Sequence, residues 1–396
     1  MACSILRTAL VKASDTIWFK LAPETQALAK AQLLALVQAP CPAPVRRALT
    51  NTISDLGAFL CAPLERDPNE SDQQEGQQPP LKTRGGWPEL FPFLLKCTGS
   101  ADAAQRETGF SVFALLSILV GPETFRPHLG LICSVLAGGL GDGAAPDVRY
   151  AALAATASFL RIMQPRRDAA HLRQFRALLP AMMAALQHAL AHDASDAAAV
   201  LDVFVQIAEA RPAFFRPAIA EVTAALFTVA KEPRCDTAVR KFAMEAIVTL
   251  VEQRPAMMRR IPGFVQPFVE LVLAWMVAVD ESLLEPWLAF EEPDDVSVSE
   301  LGDEYLERLS IALRGRTVVP VLLPHLSALM ASPDWRQRQA GLSAVSMCCA
   351  GCRAFLRPHV AEMLRLATAG ARDAHPYVRW AALDLLVQLL REYGPW

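Results

Sequence analysis

Ser332-Pro333-Asp334-Trp335-Arg336-Gln337-Arg338-Gln339-Ala340-Gly341-Leu342 and, one interval later, Asp373-Ala374-His375-Pro376-Tyr377-Val378-Arg379-Trp380-Ala381-Ala382-Leu383 decide the fold of this chain. Each is a polar turn that opens into an apolar helix. A turn of one kind that returns at a fixed interval is the mark of stacked helical hairpins, which bury their apolar faces against their neighbours. Such a stack works through its surface and not through a catalytic pocket, so the pattern tilts toward binding.

Outward from these turns, apolar residues at a spacing of 3.6 resolve the chain into helix pairs with no convincing strand. A leading helix falls near 3–14. The pairs are 24–38 with 44–60, 88–98 with 102–120, 127–138 with 146–162, 169–190 with 195–210, 217–230 with 236–253, 264–278 with 303–314, 317–331 with 334–350, and 356–370 with 376–392. Pro23, Pro44, Pro88, Pro146, Pro217, Pro333 and Pro376 sit just before or within first turns, where a missing N–H costs nothing and φ is already helical. Arg106 to Arg149 and Arg336 to Arg379 are each 43 residues apart, while Arg149 to Arg240 is 91 and Arg240 to Arg336 is 96. One or two steps of about 43 match the period of HEAT and armadillo repeats and not the shorter tetratricopeptide or ankyrin periods. The expected fold is all-α, a HEAT-repeat superhelix of about eight hairpins that runs through 1–396 as a single solenoid.

In such hairpins an Arg at the start of the second helix can bond Asp or carbonyl groups of the neighbouring repeat and set the twist between repeats. Asp147, Arg149, Arg240, Asp334, Arg336, Asp373 and Arg379 stand where that ladder requires them.

Two stretches interrupt the pattern. Residues 65–86 are polar, carry Pro and Gly, and lack periodicity, which predicts a mobile loop between hairpins. Residues 280–303 hold Glu281, Glu285, Glu291, Glu292, Asp294, Asp295, Glu300 and Asp303 with no Lys or Arg. An acidic segment inside one repeat is well placed to attract a basic partner.

The bulk composition agrees. Hydrophobic residues make up 53% of the 396 and charged residues 20%, enough apolar material for a continuous core. A net charge of −3 offers no excess of cations for a phosphate backbone, so nucleic acid is not expected as a partner. Nine cysteines at irregular spacing, behind an opening segment that lacks a signal-peptide pattern, are expected to be reduced thiols in the cytosol or nucleus. Apolar runs at 110–121 and 265–279 are shorter than the ~18 residues a membrane span needs.

Motifs with catalytic meaning do not assemble. Gly138-Gly139-Leu140-Gly141-Asp142-Gly143 imitates a dinucleotide loop but follows a helix instead of a strand, and reads as a helix stop. Cys348, Cys349 and Cys352 lack a second cluster at ligand spacing and read as packed thiols. His188 and His192 are the one i, i+4 histidine pair and lack the Glu of a zinc site. Neither a cofactor, a metal nor an enzymatic activity is expected.

The run from Ser332 to Val345, followed by 373–382, resembles consecutive repeats of the importin-β (karyopherin-β) family. Ala238-Val239-Arg240-Lys241-Phe242-Ala243-Met244-Glu245-Ala246-Ile247-Val248-Thr249-Leu250-Val251-Glu252 is most similar to the importin subunit beta-3 branch, and the order, an acidic interruption and then the Pro-Asp-Trp repeat, matches too. The resemblance implies a monomeric receptor that wraps basic cargo such as ribosomal proteins or histones and yields it to GTP-bound Ran. It also implies contact with phenylalanine-glycine nucleoporins, and a location in cytoplasm and nucleus with passage through the pore. Carried over by position, Glu291, Glu292, Asp294 and Asp295 become the acidic loop that couples Ran to cargo. Counted from that loop, the first two repeats of the family are absent, which implies a fragment, a truncated gene product or a degenerate paralogue. Ran binding by this chain alone is therefore expected to be weak or absent. The competing reading is a cytosolic HEAT scaffold, which explains the repeats but not the acidic segment ahead of the Pro-Asp-Trp repeat.

Overall fold

The computed structural model describes residues 18–61, 86–143, 145–279, 281–283, 288–289 and 297–394, and among them there is no strand. Two compact units divide at Phe214 and Phe215. The first holds helices α1 (Pro23–Gln38), α2 (Ala43–Cys61), α3 (Leu90–Thr98), α4 (Ala103–Val120), α5 (Leu129–Leu140), α6 (Pro146–Ile162), α7 (Ala169–Arg176), α8 (Leu179–His192) and α9 (Ala194–Ala210). The second holds α10 (Ile219–Lys231), α11 (Thr237–Gln253), α12 (Val265–Val277), α13 (Val298–Leu313), α14 (Gly315–Met330), α15 (Trp335–Gly351), α16 (Val360–Gly370) and α17 (Pro376–Tyr393). They pair as antiparallel hairpins at the expected places, and within each unit the second helix of one hairpin packs on the second helix of the next.

Local chemistry sets the boundaries. Proline occupies the first turn of α1, α6 and α17. Asp102, Asp193 and Asp334 accept backbone N–H groups at the starts of α4, α9 and α15. The expected helix 169–190 is broken at Ala177 and Leu178. Pro180 supplies no N–H to the carbonyl of Arg176 and its ring crowds that carbonyl, so the backbone restarts as α8. Helix α13 begins at Val298, five residues earlier than the expected 303. Ser297 and Glu300 cap it reciprocally, a capping box hidden within the acidic run.

The first unit's core is aromatic: Phe110, Phe113, Phe125 and Phe159 are buried, with ring centroids 5.4–6.2 Å apart between Phe159 and its neighbours Phe125 and Phe113. At Gly139, in the last turn of α5, a Cβ would fall 2.4 Å from the Phe110 ring and 2.8 Å from Ala152. The glycine run thus serves helix packing, in the structure of α5 and its C-terminus. The expected leading helix and nearly all of 65–86 lie outside the described residues.

Candidate partner-binding surface

The edge at the hairpin turns is held by arginine. Arg338, on α15, donates Nε and Nη2 to the Asp373 carboxylate of the next hairpin at 2.8 and 3.0 Å. Its Nη1 donates to the carbonyls of Ser332 and Pro333 at 3.0 and 2.8 Å. The first unit builds the same joint from Arg106, whose Nε meets Asp142 at 2.8 Å while Nη1 meets the carbonyls of Ser100 and Ala101. The fork of the guanidinium matches a carboxylate and two carbonyls at once, which a lysine cannot do. The bonded Arg338 holds the Asp373 carboxyl below its usual range, against the opposing effect of burial.

The other residues expected in the ladder take distinct places. Arg379 donates to the carbonyls of Asp373 and Ala374, the same geometry as Arg106 and Arg338. Arg338, and not Arg336, is therefore in register with Arg379. Arg336 turns the other way, to Glu281 at 2.8 Å and the Val279 carbonyl at 3.4 Å. Asp334 caps its own helix, Arg149 bonds the Asp142 carbonyl within its own hairpin, and Asp147 is exposed in the first turn of α6. Arg240 donates to Ala230 and lies 5.1 Å from the Trp275 ring centroid.

A second tie across the 332–375 turns was not visible in the sequence. The Trp335 ring stacks on His375 with centroids 3.7 Å apart and lies 5.6 Å from Tyr377 in a nearly parallel plane. The flat residue next to each turn thus completes the joint that Arg338 and Asp373 begin. In the first unit, Arg126, just before α5, donates to Asp168, just before α7, at 2.8 Å. Burial pushes the Asp168 carboxyl up, but the Gln164 amide and Arg126 outweigh it and hold it low.

In the second unit, α11 and α13 together carry more carboxylates than cations. Glu245 and Glu252 on α11 and Glu304 on α13 surround Arg308, whereas Glu300, Asp303 and Glu307 on α13 form no ion pair with it among the described residues, and Arg240 and Lys241 are the cations of α11. That guanidinium meets Glu252 through Nε and Nη2, Glu245 through Nη1 and Nη2, and Glu304 through Nη1, all at 2.8–3.0 Å. It is held above its ordinary range by the Glu252 and Glu245 bonds. Asp303 is half-buried with its Oδ1 buried and without a hydrogen-bond partner among the described residues, and desolvation, aided by repulsion from Asp384 and Glu300, raises its carboxyl to about 7. Nearby, Ser346 donates to Asp384 at 2.6 Å.

Glu291, Glu292, Asp294 and Asp295 lie outside the described residues. The segment that carries them is bounded by Glu281, paired to Arg336, and by the Ser297 cap of α13. Cys348, Cys349 and Cys352 are buried, and burial pushes the Cys349 thiol up to about 12. Among the described residues no group of three or more His, Cys, Asp or Glu could hold a metal ion, and no helix is long and apolar enough to cross a membrane.

Residues 80–225 match the family model described as IPO5-like, TPR repeats, and 232–320 match the one described as Importin repeat. Importin subunit beta-3 of Saccharomyces cerevisiae is 24% identical over 314 residues, 78% of this chain and 28% of that protein. The probable importin-5 homolog of Dictyostelium discoideum is 24% identical over 376 residues, 94% of this chain and 32% of that protein. The chain thus spans about a third of the length of these relatives. Among solved structures, Kap121p bound to Nup53p superposes with a TM-score of 0.78 at 20% identity, over 99% of this chain and 35% of that one. The fold is that of the HEAT-repeat solenoids. The hairpins, the arginine joints, the two successive family matches and the relatives agree: the chain belongs to the importin-β (karyopherin-β) family.

Proposed function

We propose that the chain acts as a nuclear import receptor, or as a segment of one, and binds basic cargo along the second helices of residues 215–396. The observation that carries this reading is the charge balance of α11 and α13, where Glu245, Glu252, Glu300, Glu304 and Glu307 stand against Arg240, Lys241 and Arg308, and the donors of Arg308 are already taken by Glu245, Glu252 and Glu304. Glu300 and Glu307 are exposed and make no ion pair among the described residues. A lysine- or arginine-rich segment would meet an uncompensated negative field there, which speeds encounter and selects against acidic partners.

The acidic segment with Glu291, Glu292, Asp294 and Asp295 continues that field and is the proposed link to Ran. Kap121p, the solved neighbour, is bound to Nup53p in one structure and to Pho4p in another, which supports cargo and nucleoporins as partners of this chain too. Ribosomal proteins and histones suit the charge, and the proposed location is cytoplasm and nucleus with transit through the pore. Capture of a lysine-rich peptide by the purified chain, with and without GTP-loaded Ran, tests the reading. Capture that falls with added salt and with Glu304→Gln plus Glu307→Gln supports it, and capture indifferent to both overturns it. Capture unchanged by neutralising Glu291, Glu292, Asp294 and Asp295 removes the acidic segment from the mechanism.

A further inference from the structure

At the far end of α13 the charge reverses. An open cleft of about 1120 Å³ lies where α13 ends, α14 begins and α15 ends, and Arg259, Arg314, Arg316, Arg353 and Arg357 line it with no carboxylate among the lining residues. Arg259 is anchored to the carbonyls of Ala312 and Leu313 at 3.1 and 3.3 Å. The side chains of Arg314, Arg316, Arg353 and Arg357 make no hydrogen bond or ion pair among the described residues, and all four are exposed. Four unpaired guanidiniums held about one cleft repel each other, and an anion relieves that repulsion.

The floor is built for close approach. A Cβ on Gly315 would fall 2.4 Å from the Phe355 Cβ, and one on Gly351 would fall 2.3 Å from the Ser310 carbonyl carbon. Gly351 brings main chain against main chain and Gly315 lies against the Phe355 and Cys352 side chains, so the cleft is lined by backbone and apolar groups with arginines around them. Arg314 takes φ +69° immediately before Gly315. That turn opens the first turn of α14 into the cleft, where its N–H groups and dipole add to the positive field.

We infer that this cleft binds an acidic peptide segment of a partner protein, one whose carboxylate side chains meet the arginines and whose apolar side chain rests on Ala350 and Phe355. The mixed lining selects this occupant. A bare polyphosphate would leave the apolar floor uncovered, and a nucleic acid needs a continuous cationic track, which a net-negative chain with one arginine cleft does not supply. The site is separate from the cargo surface proposed above. Along α13 the exposed Glu304 and Glu307 of that surface lie about 9–14 Å from Leu313 at the cleft. The sequence concealed it because its arginines come from three separate stretches of the chain, around 259, 314–316 and 353–357.

The test is fluorescence anisotropy of the full chain with a labelled twelve-residue peptide of alternating Glu and Leu, and with its Lys-for-Glu counterpart as a separate arm. Arg314→Glu with Arg353→Glu is expected to weaken the acidic peptide by about tenfold or more. Arg166→Glu, an exposed reversal in the first unit, is expected to leave it within about twofold, with far-UV circular dichroism unchanged in both. Binding of the Lys peptide should not weaken in the double variant, so loss of one arm does not depend on the other. Three results overturn the inference: no binding of the acidic peptide, binding indifferent to the double reversal, or tighter binding of a single-stranded RNA or of inositol hexakisphosphate through the same arginines.

Discussion

Helices α4 and α13 are second helices of their hairpins, one in each unit, and they can be laid residue on residue. Gly109 to Val120 reads Gly-Phe-Ser-Val-Phe-Ala-Leu-Leu-Ser-Ile-Leu-Val, and Gly302 to Leu313 reads Gly-Asp-Glu-Tyr-Leu-Glu-Arg-Leu-Ser-Ile-Ala-Leu. The packed positions agree. Gly109 lies against Cys97 and Thr98 of its first helix, as Gly302 lies against Met276 and Val272 of its own. Ser117 and Ser310 are buried and return their hydroxyls to the carbonyl three residues back. The free positions differ in part: Ile118 and Ile311 are exposed alike, but Leu115 of α4 stands where α13 has Arg308, and the half-buried Ser111 and Ala114 stand where α13 exposes Glu304 and Glu307. Packing fixes one face of the repeat and leaves the other to function. One position crosses that divide, since Asp303 stands where α4 has the buried Phe110.

The comparison breaks first at the glycines. Gly302→Val would drive a side chain into Met276 and the Val272 carbonyl and is expected to cost about 3 kcal/mol, with Gly109→Val close behind. Thermal unfolding of both variants checks it, and a silent Gly302→Val would show that the shared register is not a shared packing constraint.

Asp303 sharpens it next. Its folded value near 7 lies above the usual ~4 of an aspartate, so the folded chain keeps a proton that the unfolded chain has lost. The stability this site allows is full below about pH 4 and is lost as the pH rises to about 7. Asp303→Asn should therefore gain on the order of 2 kcal/mol at pH 8 and almost nothing at pH 4, read from urea midpoints at the two pH values.

Arg308 comes third. Arg308→Ala leaves Glu245, Glu252 and Glu304 facing each other and is expected to cost about 1–2 kcal/mol, with Arg308→Lys recovering only part because an ammonium cannot bridge two carboxylates in fork geometry. The smallest effect belongs to the joints the two units share: Arg106→Ala and Arg338→Ala should each cost about 1 kcal/mol, equal within error if the joints are equivalent.

The hairpins were legible because proline at first turns and apolar periodicity are local signals, and local signals survive without knowledge of neighbours. The register of the ladder was less so. Asp334-Trp335-Arg336-Gln337-Arg338 offers two arginines two residues apart, and only the packed structure shows Arg336 turned back to Glu281 and Arg338 forward to Asp373. The start of α13 was hidden because the cap residues Ser297 and Glu300 sit in an acidic run that reads as loop. The acidic face of α11 and α13 was half visible. Its carboxylates are plain in the sequence, but Arg308's pairing with Glu245 and Glu252 joins residues 63 and 56 apart.

The central claim is that the free face of α13 recruits basic partners while its packed face is the same as that of α4. The most direct measurement is the affinity of the chain for a lysine-rich peptide after Glu304→Ser and Glu307→Ala, which give α13 the residues of α4 at those two positions. A drop of about fivefold or more at low salt, with unfolding temperature unchanged, is the expected result. Affinity equal to that of the unaltered chain would contradict the account.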